Sequence, residues 1–176
     1  LTSAQSDDTG FLDRSLVHEG RTYRYQVYVP RDYTPDEAWP VILFLHGAGE
    51  RGSDGLIPTE VGLGTAIRRN LSRWPAIVVF PQVPLSRSWG DEPAAAAMEA
   101  LEATIDEYSV DESRQYLTGL SMGGFGTWYL GFHHPTHWAA MVAICSFVRG
   151  PANYPNYLPA ENPVKTLARK IDHIPI

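Results

Sequence analysis

With 176 residues, 44% of them hydrophobic and 11% aromatic, the chain is long and apolar enough for one domain with a real core, which excludes a disordered polypeptide. A formal charge of -6 and a pI near 5.4, with basic residues scattered apart from short pairs such as Arg68-Arg69, exclude nucleic acid as an expected partner, because phosphate binding needs a clustered basic surface. No stretch is long and apolar enough to span a bilayer, and the single cysteine, Cys145, rules out an internal disulfide.

Residues 1–10 are polar and read as a segment ahead of a domain covering 11–176. A start at Leu1 rather than Met suits a processed precursor or an excised domain, and a secreted or periplasmic location is the one favoured. Phe11 to His18 and Arg21 to Val29 predict a β-hairpin turning at Glu19-Gly20. In its second arm Tyr23, Tyr25, Val27 and Val29 alternate with Arg24, Gln26 and Tyr28, the period of a half-exposed antiparallel edge.

Three later runs are continuous and apolar: Val41 to Leu45, Ala76 to Phe80 and Ala139 to Cys145. Such runs suit parallel strands covered on both faces, and they make Cys145 a buried small hydrophobe. Asp91 reads as the N-cap of a helix with Pro93 in its first turn, and Met98, Leu101, Ile105 and Tyr108 share one face of it. Arg114 to Thr118 suits a strand and Gly124 to Leu130 a helix. Val164 to Ile171 suits another helix, and Ile174-Pro175-Ile176 the start of a further strand. Strands alternating with helices predict an α/β domain built on a mainly parallel sheet, with helices on both faces and an antiparallel hairpin in front.

Between the strand and helix around residue 120 lies Gly119-Leu120-Ser121-Met122-Gly123, a G-x-S-x-G sequence. A serine on a sharp strand-to-helix turn is lifted out of the backbone, and flanking glycines are needed where a Cβ would strike neighbouring chain. Ser121 is therefore the candidate nucleophile. Directly after the strand ending at Leu45 comes His46-Gly47-Ala48-Gly49-Glu50-Arg51-Gly52. Sites in such sheets form beyond the carboxyl ends of the strands, and acyl transfer needs backbone N–H groups aimed at a developing oxyanion. The amides of Ala48 and Met122 are the candidate pair. Gly47, Gln82 and Trp89 are candidate substrate-binding residues, although packing is an equal reading of Trp89. Tyr154 and Tyr157, within the proline-rich stretch from Pro151 to Pro163, suit either a surface connection or a substrate loop. No H-E-x-x-H pattern points to a catalytic zinc, and no cofactor or metal is expected.

The loop His46 to Gly52, Pro81-Gln82, Trp89 and Gly119 to Gly124 together resemble the α/β-hydrolase superfamily, and within it bacterial carboxylesterases of the phospholipase/carboxylesterase type. The resemblance runs from about Tyr23 to the C-terminus. It implies a metal-independent serine esterase acting on a small-molecule or polymeric ester through a Ser-acid-His triad in that chain order. Downstream of Ser121 the chain supplies His133, His134, His137, His173, Asp172 and Glu161. His133 and His134 lie about 12 residues along the helix, roughly 18 Å away, too far for a base. His137 leads into the next strand at the wrong end of the sheet. Asp172 and His173 are adjacent, pointing apart in extended chain, and precede the expected strand. The acid and histidine are therefore expected beyond Ile176, after two further strands, in the same chain or a separate fragment. A preceding N-terminal domain is a further expectation. A serine peptidase of the same fold and a non-catalytic binding module are the rival readings.

Overall fold

The computed structural model describes residues 8–152 and 154–176, so most of the polar segment 1–10 lies outside the described residues. Six strands, β1 (Gly10–His18), β2 (Arg21–Val29), β3 (Trp39–Leu45), β4 (Ile77–Pro81), β5 (Val110–Leu120) and β6 (Ala140–Ile144), form one sheet in the order β1-β2-β4-β3-β5-β6. The expected hairpin is present. Its register pairs His18 with Arg21, and Glu19 (φ 47°) and Gly20 (φ 79°) supply the two left-handed residues that a two-residue turn between right-twisted strands requires. β2 also pairs antiparallel with β4, whereas β3, β4, β5 and β6 run parallel. β2 is thus an interior strand and not the edge its alternation suggested. Tyr25 to Val29 are all buried, because the sheet continues past β2 to β4.

Among the described residues there are four α-helices: α1 (Leu63–Arg69), α2 (Asp91–Glu107) and α3 (Met122–His133) lie between strands, and α4 (Pro163–Ile171) follows β6. On one face α2, α3 and α4 bury Ala97, Leu101, Phe125, Leu130, Leu167 and Ile171 against Val27, Val41, Leu43 and Leu117. On the other face Ile67 of α1 packs with Tyr28, Phe44, Val78 and Phe80 in a second cluster. Gly90, not Asp91, occupies the cap position of α2. Asp91 is the first helical residue, at φ 43°. Among the described residues no helix is long and apolar enough to cross a membrane.

The reading of the run 139–145 as covered on both faces holds for one face only. Met141 is buried, but Val142 and Ile144 are 54% and 44% exposed. They border an apolar groove of about 590 Å³ that continues over Ile42, Tyr116 and Leu120. Cys145, expected to be buried, is exposed at φ 49°, because β6 ends at Ile144 and the chain turns out of the sheet there. Residues 174–176 form no strand, although the Pro175 carbonyl accepts a hydrogen bond from the Met141 N–H at 2.9 Å beside β6.

Candidate active site

Ser121 stands between the last residue of β5 and the first of α3, at φ 56° and ψ -109°. Left-handed backbone costs a non-glycine residue on the order of 1 kcal/mol or more, and it persists only where the surroundings enforce it. Here the enforcement is visible. The Ser121 N–H donates to the Ile144 carbonyl of β6 at 2.8 Å, and its carbonyl accepts the first helical bond from Phe125 N–H at 3.1 Å. The two motif glycines are dictated by contact with main chain. A Cβ on Gly119 would lie 2.2 Å from the Gly123 carbonyl oxygen, and one on Gly123 would lie 1.8 Å from that of Leu45. The elbow therefore packs glycine to backbone against the end of β3, which brings the next loop to the serine.

That loop starts at His46 and Gly47. A Cβ on Gly47 would sit 4.0 Å from Ser121 Cβ and 3.6 Å from the Leu120 carbonyl oxygen, so the Gly47 backbone borders the serine. Ala48 opens a single 3-10 turn (Ala48–Glu50), and Met122 is the first residue of α3. First residues of helices have N–H groups with no intrahelical acceptor, which leaves the Ala48 and Met122 amides available to a ligand.

The loop is braced from beneath by three buried polar side chains. His46 is 1% exposed. Its Nδ1 donates to the Gly47 carbonyl at 2.6 Å, and its Nε2 accepts the Val83 N–H at 3.0 Å, a pattern only the neutral ring with its proton on Nδ1 can make. Burial drives its pKa down to about 4, with the Gly47 hydrogen bond a smaller opposing effect. Trp89, 1% exposed, donates its Nε1–H to the His46 carbonyl at 2.9 Å, with its ring 5.0 Å from the imidazole. Gln82, 3% exposed, accepts the Gly55 N–H at 2.7 Å and donates to the Glu50 carbonyl at 3.0 Å and Asp54 Oδ2 at 3.2 Å. Burial acts to raise the Asp54 pKa, but the Ile57 and Leu56 N–H donors and Gln82 outweigh it and hold the carboxyl below its usual range. Gln82 and Trp89 thus spend their polar atoms on the loop. Sequence reasoning assigns His46 no role, and its sequence signal is a lone polar residue ending an apolar strand.

The histidines lie apart from the serine. His133 Nδ1 bonds the Tyr129 carbonyl at 2.8 Å, and its ring stacks 4.2 Å from that of Tyr129. His134 and His137 contact each other past the end of α3. His173 Nε2 bonds the Pro135 carbonyl at 2.9 Å. Asp172 and His173 do not point apart as expected of extended chain. They sit in a turn, 3.7 Å from each other, and both are exposed. His18 pairs with Glu99 on the hairpin side. Among the described residues no histidine or carboxylate hydrogen-bonds the Ser121 hydroxyl. Tyr154 and Tyr157 pack their rings 5.0 and 5.6 Å from that of Phe125 in α3.

A mainly parallel sheet, a strained serine between strand and helix, and a glycine loop after the neighbouring strand define the α/β-hydrolase class. Within it, the Esterase family model matches residues 18–160, and the chain belongs to that family. It is 27% identical over 168 residues to Feruloyl esterase B of Neurospora crassa, covering 86% of this chain and 53% of that protein. Among solved structures, a thermostable esterase aligns with a TM-score of 0.72 at 30% identity, over 93% of this chain and 52% of that one. An S-formylglutathione hydrolase from Staphylococcus aureus shares the fold, with a TM-score of 0.68 at 16% identity over 99% of this chain and 77% of that one. The chain spans about half the length of the first two relatives.

Proposed function

We propose that this chain carries the nucleophile and oxyanion site of a serine carboxylesterase. The observation that carries the reading is Ser121 held at φ 56° by its bond to Ile144, with the Gly47 backbone beside it. In this reading Ser121 Oγ attacks the ester carbonyl while a histidine outside these 176 residues takes its proton, oriented by an acid also outside them. The Ala48 and Met122 N–H groups receive the negative charge that develops on the carbonyl oxygen. Collapse of the tetrahedral intermediate breaks the ester C–O bond, and the alcohol leaves with the histidine's proton. Water, deprotonated by the same base, then attacks the acyl-enzyme and releases the carboxylic acid and free Ser121. Gly47 lets the substrate approach the serine, while Gln82 and Trp89 act as positioning residues beneath the loop. The name of the Neurospora relative makes hydroxycinnamate esters the first substrates to try.

The test is fluorophosphonate labelling of the intact protein, with peptide mapping and turnover of nitrophenyl esters and peptide anilides. Label on Ser121, loss of label in Ser121→Ala and preference for esters are the expected results. A protein that does not label at Ser121, or a Ser121→Ala variant with full esterase activity, overturns the mechanism. Preference for anilides turns the reading to a peptidase.

A further inference from the structure

The turn Ala48–Glu50 folds its last residue back over the glycine ahead of it, since the Glu50 N–H donates to the Gly47 carbonyl at 3.4 Å. Residues three apart eclipse one another in a 3-10 turn, so the Glu50 side chain lies over residue 47. Glycine there leaves the room for it: a Cβ on Gly47 would sit 2.9 Å from Glu50 Oε2. The same Cβ position lies 4.0 Å from Ser121 Cβ, so the carboxylate oxygen and the serine Cβ are at most 6.9 Å apart (2.9 plus 4.0). The backbone beneath is fixed by Gln82, which donates to the Glu50 carbonyl at 3.0 Å. A carboxylate is thus held beside Ser121, on the loop that carries Ala48.

The half-buried Glu50 carboxylate has no hydrogen-bond or ion-pair partner among the described residues. Arg51, the adjacent cation, directs its Nε–H to the Arg87 carbonyl at 2.6 Å, and Arg87 pairs with Glu92 at 2.8 Å. His46 beneath the loop is neutral, with its proton on Nδ1. Asp54, the next carboxylate along the loop, is by contrast committed to the Leu56 and Ile57 N–H groups at 2.6 and 2.9 Å. In the esterase reading, negative charge develops on the substrate carbonyl oxygen as Ser121 attacks. An unpaired carboxylate nearby opposes that charge, and an anionic group on the substrate meets a second repulsion. A cationic group close to the ester is attracted to Glu50 and offsets its charge while the oxyanion forms.

We propose that Glu50 makes this site select esters by charge, favouring a cationic group beside the scissile bond and rejecting an anionic one. The proposal rests on the esterase reading. A unit charge within about 10 Å of the carboxylate changes kcat/KM roughly three- to four-fold in half-solvated surroundings, in opposite directions for the two signs, so the cation-over-anion ratio moves about ten-fold. The experiment measures kcat/KM by acid release for the intact protein, Glu50→Gln and Glu50→Lys on two matched sets of esters. One set carries the charge on the alcohol: acetylcholine, isoamyl acetate and acetyl isethionate. The other carries it on the acyl group: the ethyl ester of trimethylglycine, ethyl isovalerate and monoethyl malonate. Ratios are formed within each protein, so a general change in activity cancels. The cation-over-anion ratio of the wild type should exceed that of Glu50→Gln by about ten-fold in at least one set, and Glu50→Lys should lower it further. Sodium chloride at about 1 M, where the Debye length is about 3 Å, should bring the wild type toward Glu50→Gln. Turnover that depends on Ser121 but shows the same ratio in all three proteins overturns this proposal alone. Turnover that survives Ser121→Ala, or none with any ester, overturns the esterase reading and this proposal with it.

Discussion

Gly123→Ala is the sharpest single perturbation of the elbow. The new Cβ would lie 1.8 Å from the Leu45 carbonyl oxygen, 2.4 Å from the Leu45 carbonyl carbon and 2.8 Å from the His46 carbonyl oxygen. Cβ contacts essentially never fall below 3.0 Å, so α3 and the end of β3 must separate by at least 1.2 Å (3.0 less 1.8). All three obstructing atoms are main chain, so no side chain can swing aside. Overpacking costs typically 1–3 kcal/mol, and a backbone obstruction belongs at about 3 kcal/mol or above. For a chain of this size that lowers Tm by roughly 6–12 °C. The displaced atoms carry the start of the loop beside Ser121, and a misplacement of about 1 Å at a reacting centre costs on the order of 100-fold in rate. Differential scanning calorimetry and the fluorophosphonate labelling rate read the two effects. Gly49→Ala is the control, since nothing lies within 4 Å of a Cβ there and no stability loss above about 0.5 kcal/mol is expected. A Gly123→Ala protein that melts with the wild type and labels at its rate would refute the packing argument.

Burial keeps His46 neutral down to about pH 4, whereas in the unfolded chain it takes a proton near 6.5. Its contribution is therefore intact above pH 6.5 and lost as pH falls toward 4. At about 1.4 kcal/mol per pH unit across that interval, this amounts to roughly 3 kcal/mol, and His46→Gln should flatten the slope in urea titrations at pH 7, 5.5 and 4.5. His134, also lowered by burial and by its neighbouring histidines, adds a smaller slope of the same sign that the variant retains. Trp89→Phe keeps the ring but strips the His46 carbonyl of its donor. It should cost about 1–3 kcal/mol by urea unfolding and reduce kcat more than it raises KM. Gln82→Glu replaces a donor with a carboxylate facing Asp54 and the Glu50 carbonyl. It should cost about 3 kcal/mol at pH 7 and measurably less at pH 4.5, where protonation restores one donor.

Legibility followed the range of the interactions. The hairpin, the amphipathic α2 and the strand–serine–helix order around Ser121 were readable because turn chemistry and periodicity act over a few residues. The exposure of Cys145, Val142 and Ile144 was not, because an apolar strand reads the same whether one face or two are covered. The interior place of β2 was hidden for a related reason. Alternation reports which face of a strand is buried and says nothing of which strand lies beside it. Gln82 and Trp89 were singled out from the chain, but their commitments to Glu50, Asp54, Gly55 and His46 depend on contacts 27 to 43 residues away.

The sequence by itself determined that Ser121 would stand on a sharp turn with room for nothing larger than hydrogen at Gly119 and Gly123, because local sterics set that geometry. Only the tertiary structure decided what the turn is pressed against: Leu45 at the end of β3, His46 just after it, and Ile144 from β6. Strand order, and with it the neighbours of the serine, arises from burying both clusters against one twisted sheet. That is a property of the whole packed chain and not of any five residues in it.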